Sequence, residues 1–203
     1  MLLPPSEKPP FDQDTSVLID PSGNIVWIYQ KAHPVAGLET NLVPGNGQLP
    51  TVATLYGRLA TAICQDADYP STIRQAGQAN ADLLLRPSGD WRAVDPLHTQ
   101  MATFRAIENG FSLVTSTNQG RSIAVDYEGQ VLAASDYFTT DRQVLVAYVP
   151  MQGVHTIYAT IGDLFTWFSV AGLVVLIAVA LARRRKVGEA GAAASSGAPL
   201  HVS

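Results

Sequence analysis

The chain has 203 residues, of which 47% are hydrophobic and 15% charged, with a net charge of −4 and a single cysteine. One cysteine excludes an internal disulfide and any cysteine-based zinc cluster. A negative chain with no basic stripe before its C-terminus argues against a nucleic-acid partner. The length allows one domain of ordinary size plus additions.

Residues 1–14 are polar and Pro-rich and are expected to form a loop; Met1–Phe11 has no apolar h-region, so no signal peptide is expected. Thr15–Asp20 and Ile25–Lys31 are β-rich runs around Pro-Ser-Gly-Asn and predict a hairpin. Lys31 closes the second run. It is either a solvated strand end or a cation for a thiol and an oxyanion. Such a pair at about 4 Å and an effective dielectric near 20 gains roughly 4 kcal/mol before desolvation. Asn41–Thr54 is rich in Gly and Pro and predicts a surface loop.

Leu55–Ile63 is apolar and predicts a buried strand, ending at the lone Cys64; Pro70 then opens a helix over Ser71–Asn80. A cysteine between a strand end and a helix start sits where α/β sheets place their chemistry. A free thiol is only about 3% thiolate at pH 7, so a nucleophilic role needs a nearby cation or base. The alternative is a buried structural cysteine. Ala81–Arg86 predicts the next strand, parallel to the first across a βαβ unit. Asp90 and Trp91 follow it.

Asp95–Asn109 predicts a helix capped by Asp95, with Pro96 in its first turn, Leu97, Met101, Phe104 and Ile107 on its apolar face, and Gly110 as its stop. His98 lies on this helix with no second His or carboxylate at metal spacing, and is expected to be neither ligand nor base. Phe111–Thr117, Arg121–Asp126, Gln130–Ser135 and Gln143–Val149 predict four further strands. Leu164–Ala182 is an uncharged run of nineteen residues, about 28 Å as a helix, and predicts a membrane span. Arg183–Lys186 then stops it and is expected to face the cytoplasm. Gly188–Ser203 is small and polar and is expected to be a disordered tail.

Three motifs carry a resemblance: Tyr29-x-Lys31-x-His33, Ile63-Cys64-Gln65-Asp66-x-x-Tyr69-Pro70 and Arg105-Ala106-x-Glu108-x. In this order they resemble the nitrilase (carbon–nitrogen hydrolase) superfamily, and more closely its apolipoprotein N-acyltransferase branch, over about Thr15–Asp163. The Thr117–Ser122 segment is similar to that branch too. The resemblance implies a partial α-β-β-α sandwich over residues 15–150. Residues 164–182 would be its transmembrane helix, and residues 183–203 the basic stop and tail.

It also implies Cys64 as nucleophile, Lys31 as oxyanion cation close to Cys64, and Glu39, eight residues past Lys31, as the carboxylate that orients the ammonium. Asp90 and Trp91 fall where the family faces its substrate. Arg105 and Glu108 would brace their helix. The implied donor is a membrane phospholipid and the implied acceptor a lipoprotein amine, at a bacterial-type membrane with the catalytic segment outside. No cofactor, metal or nucleic acid is implied. An amidase or nitrilase-type hydrolase and an inactive binding module are the alternatives. The family's general base is a glutamate well upstream of the lysine. Here only Glu7 precedes Lys31, so the chain is expected to be the C-terminal part of a longer protein.

Overall fold

The computed structural model describes residues 12–140 and 144–196 and divides into two compact units, before and after the Gly162–Asp163 junction. In the first, β1 (Thr15–Ile19) and β2 (Ile25–Gln30) form an antiparallel hairpin. The Asp20 carboxylate accepts the backbone N–H of Ser22 and Asn24, both at 2.8 Å, and Gly23 takes φ +84°, so the turn is written in its side chains.

The main sheet has six strands in sequential order: β3 (Thr51–Ala53), β4 (Arg58–Thr61), β5 (Leu83–Ser88), β6 (Ser112–Thr117), β7 (Arg121–Val125) and β8 (Val131–Asp136). The β4–β5 and β5–β6 pairs are parallel; the outer pairs are antiparallel. Two helices, α1 (Pro70–Gln78) and α2 (Leu97–Asn109), cover one face. Between them and the sheet lie Ala60, Ile73, Ala76, Leu84, Ala102, Ala106, Phe111 and Leu113. The alanines let the helices approach closely. A second cluster joins the hairpin to the end of β4 through Trp27, Tyr29, Ile63 and Cys64. The short α3 (Ile157–Ile161) closes the unit.

Several expectations are corrected. The strand expected from Leu55 begins at Arg58, because Thr54 N–H and Oγ1–H both bond the Gly57 carbonyl in a tight turn. Leu55 at its tip is fully exposed. The same turn adds β3 inside the expected loop. In α2, Asp95 does not cap; its Oδ1 accepts the Arg121 N–H at 2.8 Å, and the helix begins after Pro96.

The apolar stripe of α2 also faces the other way. Leu97 and Phe104 are 61% exposed, while His98, Thr99, Ala102, Ala106 and Asn109 are buried. A 3.6-residue period finds an apolar face without saying which face meets the sheet. Here the small residues permit close packing and His98 answers buried charges described below. Of the strand expected over Gln143–Val149, Gln143 lies outside the described residues. Residues 144–149 pair with no strand among those described, and Val144 and Tyr148 are more than 90% exposed.

The second unit is one helix, α4 (Leu164–Ser196). Its Leu164–Leu181 stretch has a mean hydropathy of 2.5 and is long and apolar enough to cross a membrane. It continues through residues 188–196, expected to be a tail, since alanine, the best helix former, offsets the glycines there. Residues 197–203 lie outside the described residues, as do residues 1–11 of the expected N-terminal loop.

Candidate active site

The site forms where β2 and β4 end side by side. One buried carboxylate joins them. Asp66 accepts the Tyr29 hydroxyl at 2.8 Å, the backbone N–H of Ala32 at 3.1 Å and of His33 at 2.9 Å, and that of Ile63 at 3.0 Å. Burial, reinforced by this carboxylate, raises the Tyr29 pKa far above its ordinary value. The His33 ring bonds Thr72 Oγ1 at 2.9 Å and stacks on Tyr69 at 3.6 Å. The Tyr-x-Lys-x-His spacing thus has a geometric meaning. Tyr29 and His33 grip the segment after Cys64, so the lysine between them is carried to it.

Lys31 is 1% exposed. Its Nζ donates to both Glu39 oxygens at 2.7 Å and lies 3.6 Å from Asp14 Oδ2. Glu39 is itself held by the Val35 N–H at 2.6 Å. Burial opposes the ammonium charge, but the Glu39 carboxylate, with Cys64 and Asp14 behind it, more than offsets this and raises the Lys31 pKa.

Cys64 opens a 3-10 turn (Cys64–Asp68) with φ +47°, a left-handed conformation costing about 1–3 kcal/mol for a side chain of this kind. Its neighbours over-determine it: Asp66 holds the N–H before it, and Arg86 Nε donates to the Cys64 carbonyl at 3.0 Å. The thiol is buried, 3.7 Å from the Gly89 carbonyl oxygen.

Beyond the thiol lies a second charged group. His98 Nδ1 is 2.6 Å from Asp90 Oδ1, which also accepts the Ser88 hydroxyl at 2.8 Å. His98 Nε2 is 3.3 Å from Asp68 Oδ1, without the alignment of a hydrogen bond. Arg86 Nη2 approaches both ring nitrogens, at 2.7 and 3.1 Å. Burial disfavours the imidazolium and Arg86 opposes it, but Asp68 and Asp90 prevail and push the His98 pKa up to about 9. Burial opposes the Asp90 charge too, yet His98, Ser88 and Arg86 hold its pKa below the ordinary value. Burial lowers the Arg86 pKa despite the surrounding acids. Cys64 Sγ, a His98 nitrogen and an Asp90 oxygen all lie within 4.8 Å of one another. Gly120, in the Thr117–Ser122 segment, makes room for this: a Cβ there would meet Asp90 Cβ at 2.9 Å.

A cavity of about 160 Å³ opens over Cys64, walled by Val35, Trp91, Val94, Leu97 and Met101, with Asp68 and His98 at its polar side. Lys31 is thus paired with Glu39 and within electrostatic reach of Cys64, and Trp91 stands in the cavity wall. The Asp90 side chain is fully covered and reaches His98 instead of the cavity. Arg105 pairs with Glu108 at 2.9 Å within α2. Sequence reasoning set His98 aside and did not single out Arg86. The available signal was a charged residue ending the apolar run Leu83-Leu84-Leu85, since a buried guanidinium requires partners.

The carbon–nitrogen hydrolase family model matches residues 3–159. Among curated proteins, the apolipoprotein N-acyltransferase of Shewanella oneidensis is 33% identical over 151 residues, which are 70% of this chain and 29% of that protein. That of Geobacter metallireducens is 29% identical over 84% of this chain and 36% of its own length. The chain thus spans about a third of the length of these relatives. Among solved structures, a mutant amidase from Nesterenkonia sp. AN1, with the acetamide moiety of fluoroacetamide covalently added at its active-site cysteine, superposes with a TM-score of 0.62. It is 25% identical and covers 68% of this chain and 55% of that one. A carbon–nitrogen hydrolase from Helicobacter pylori gives the same TM-score at 21% identity, over 68% of this chain and 56% of its own.

Proposed function

We propose a function from one premise: this chain belongs to the carbon–nitrogen hydrolase family. It carries the nucleophile half of an acyltransferase that moves an acyl group from a membrane phospholipid to the N-terminal amine of a lipoprotein. The observation that carries this reading is a buried thiol under an apolar-walled cavity, within electrostatic reach of a buried lysine. Cys64 attacks the ester carbonyl, Lys31 faces the developing oxyanion, and Glu39 holds the ammonium in place. The ester C–O bond breaks, and the lysophospholipid leaves as its alcohol with the thiol's proton. The acyl-thioester left behind is resolved when the acceptor amine forms the amide and the thiol is released with the amine's proton. The apolar wall, with Trp91 in it, suits the start of an acyl chain. The relatives named apolipoprotein N-acyltransferase support this choice of substrates.

The domain limits proposed are residues 15–150 for the catalytic segment and 164–182 for a membrane span, which suits a lipid donor that never leaves the bilayer. The basic cluster at 183–186 favours a cytoplasmic C-terminus and an outer catalytic segment.

A second reading has its own support. The amidase structures share the fold, and a small cavity suits a short amide whose thioester is resolved by water. One experiment separates the two. The full-length protein containing this chain is incubated with vesicles of acyl-labelled phosphatidylethanolamine, and the Cys64 peptide is examined by mass spectrometry. The expected result is a hydroxylamine-sensitive acyl adduct that moves to an added lipopeptide amine and is absent from Cys64→Ala. Release of the label to water alone, with small amides as better donors, would establish the hydrolase instead.

A further inference from the structure

The cavity over Cys64 is smaller than a membrane lipid's acyl chain. Its volume is about 160 Å³, and an engineered cavity of about 150 Å³ takes one benzene, about six carbons. A chain that reaches the bilayer midplane is about 15 Å long, half of a hydrocarbon core of about 30 Å. With its carbonyl at the thiol, most of such a chain must lie outside the cavity.

We propose, on the acyl-transfer reading of Cys64, that the outward stripe of α2 is the track for the rest of the donor's acyl chain. Leu97, Met101, Phe104 and Ile107 form it, and it makes the site selective for long chains.

Residues three and four apart are neighbours on a helix, so these four side chains make one continuous strip. From Leu97 to Ile107 it runs ten residues along α2, about 15 Å. All four are between 38% and 61% exposed. Single exposed apolar residues are ordinary, but four in register along one helix mark a contact surface. The charges of α2 are kept off the strip: His98 turns inward to Asp90, and Arg105 pairs with Glu108.

The strip starts at the thiol's cavity. Leu97 and Met101 wall that cavity, beside Trp91 and Val94, so the strip is the outward continuation of its wall. At the far end, Phe104 and Ile107 border a second hollow of about 240 Å³, which Ile123 and Val131 also line. Gly129 packs against Ile107 and bounds the strip there. A chain leaving the cavity along α2 thus meets apolar surface along its length and an apolar hollow at its end. Each methylene left in water instead would cost about fourfold, from about 0.8 kcal/mol per buried methylene. A protein segment laid over the strip would close the cavity mouth at Leu97 and Met101, whereas an acyl chain passes through that mouth. A short amide needs none of this surface.

The test is the chain-length preference of the full-length protein containing this chain. Phosphatidylethanolamine donors with hexanoyl or palmitoyl chains are presented separately in detergent micelles. The rate of Cys64 acylation by each is followed by mass spectrometry. Phe104→Ser should lower the palmitoyl-to-hexanoyl rate ratio about tenfold, as if about two methylenes were left in water. The fall should be confined to the palmitoyl donor, and Phe104→Leu should keep the wild-type ratio. Taking each ratio against wild type cancels the different partitioning of the two donors into micelles. An unchanged ratio in Phe104→Ser overturns the track while the acyl-transfer reading stands. So does an equal fall with both donors, which would mean that the strip packs against a second copy or another protein segment. Should Phe104→Ser fail to fold, the wild-type protein decides. A palmitoyl donor with a diazirine near its chain end should crosslink within residues 103–109 or to Ile123 or Val131. Crosslinks confined to other segments overturn the track. Absence of any Cys64 adduct from either donor would fail the acyl-transfer reading, and the track with it.

Discussion

Two groups that act on Cys64, Lys31 and His98, are held in different ways. On one side, Lys31 is neutralised from nearby in sequence: Glu39 comes from the loop eight residues on, and both Glu39 and Asp14 are partly open to solvent. On the other, His98 is neutralised by Asp68 and Asp90 from two separate segments, over a guanidinium from a third. The first arrangement keeps a charge fixed, since a bidentate carboxylate stabilises the ammonium. The second arranges groups of competing sign around a titratable ring, where small differences decide who holds the proton. A fixed charge suits an oxyanion.

The largest blow to this arrangement is removal of the residue that joins its halves. Asp66→Ala leaves four donors near the site without their acceptor, and it should cost about 3–5 kcal/mol in urea denaturation, in line with breaking a buried charged network. A loss below about 1 kcal/mol would show that Tyr29, Ala32 and His33 are held by something else. Next comes the fixed cation. Lys31→Arg keeps the charge but replaces a compact ammonium with a planar fork, and acylation of Cys64 in the full-length protein should fall about 10²-fold or more. Near-normal acylation would mean that charge alone suffices on that side.

A smaller effect separates the two cations by pH. The His98 pKa is raised from 6.5 to about 9, so its contribution to stability is complete below about pH 6.5 and is lost as pH rises toward 9. Asp90, with its pKa lowered below 3.8, contributes above that value and loses its contribution as pH falls further. Urea midpoints should therefore decline from pH 6.5 to 9 in the wild-type chain and stay flatter in His98→Gln. A wild-type midpoint constant across that window would place the proton elsewhere. The smallest effect checks the face of α2 that carries His98 inward. Phe104→Ser, on the exposed side, should shift stability by no more than about 0.5 kcal/mol, whereas Ala106→Leu on the sheet side should cost about 1–3 kcal/mol. The reverse order would mean that α2 is rotated and His98 is not at the thiol.

The amino-acid sequence by itself determined what local pattern and ordered motifs can carry. The β1–β2 hairpin, the β4–α1–β5 parallel unit and the apolar helix from Leu164 follow from turn chemistry, Pro70 at a helix start and an uninterrupted uncharged run. Lys31, Glu39 and Cys64 could be singled out as candidates because their motifs lie in short segments whose order survives without a structure. Only the tertiary structure decided which side of α2 is buried, where the Leu55 run turns, and that residues 144–149 pair with no strand among the described residues. The outcome in each case depends on what another segment presents, and hydrophobic periodicity is silent about that. The same holds for Arg86, Asp90 and His98. Each is unremarkable in its own stretch, and they become one charged group only when β5, the segment after it and α2 close over the 3-10 turn. A buried ion is then stabilised by partners that its own sequence neighbourhood does not contain.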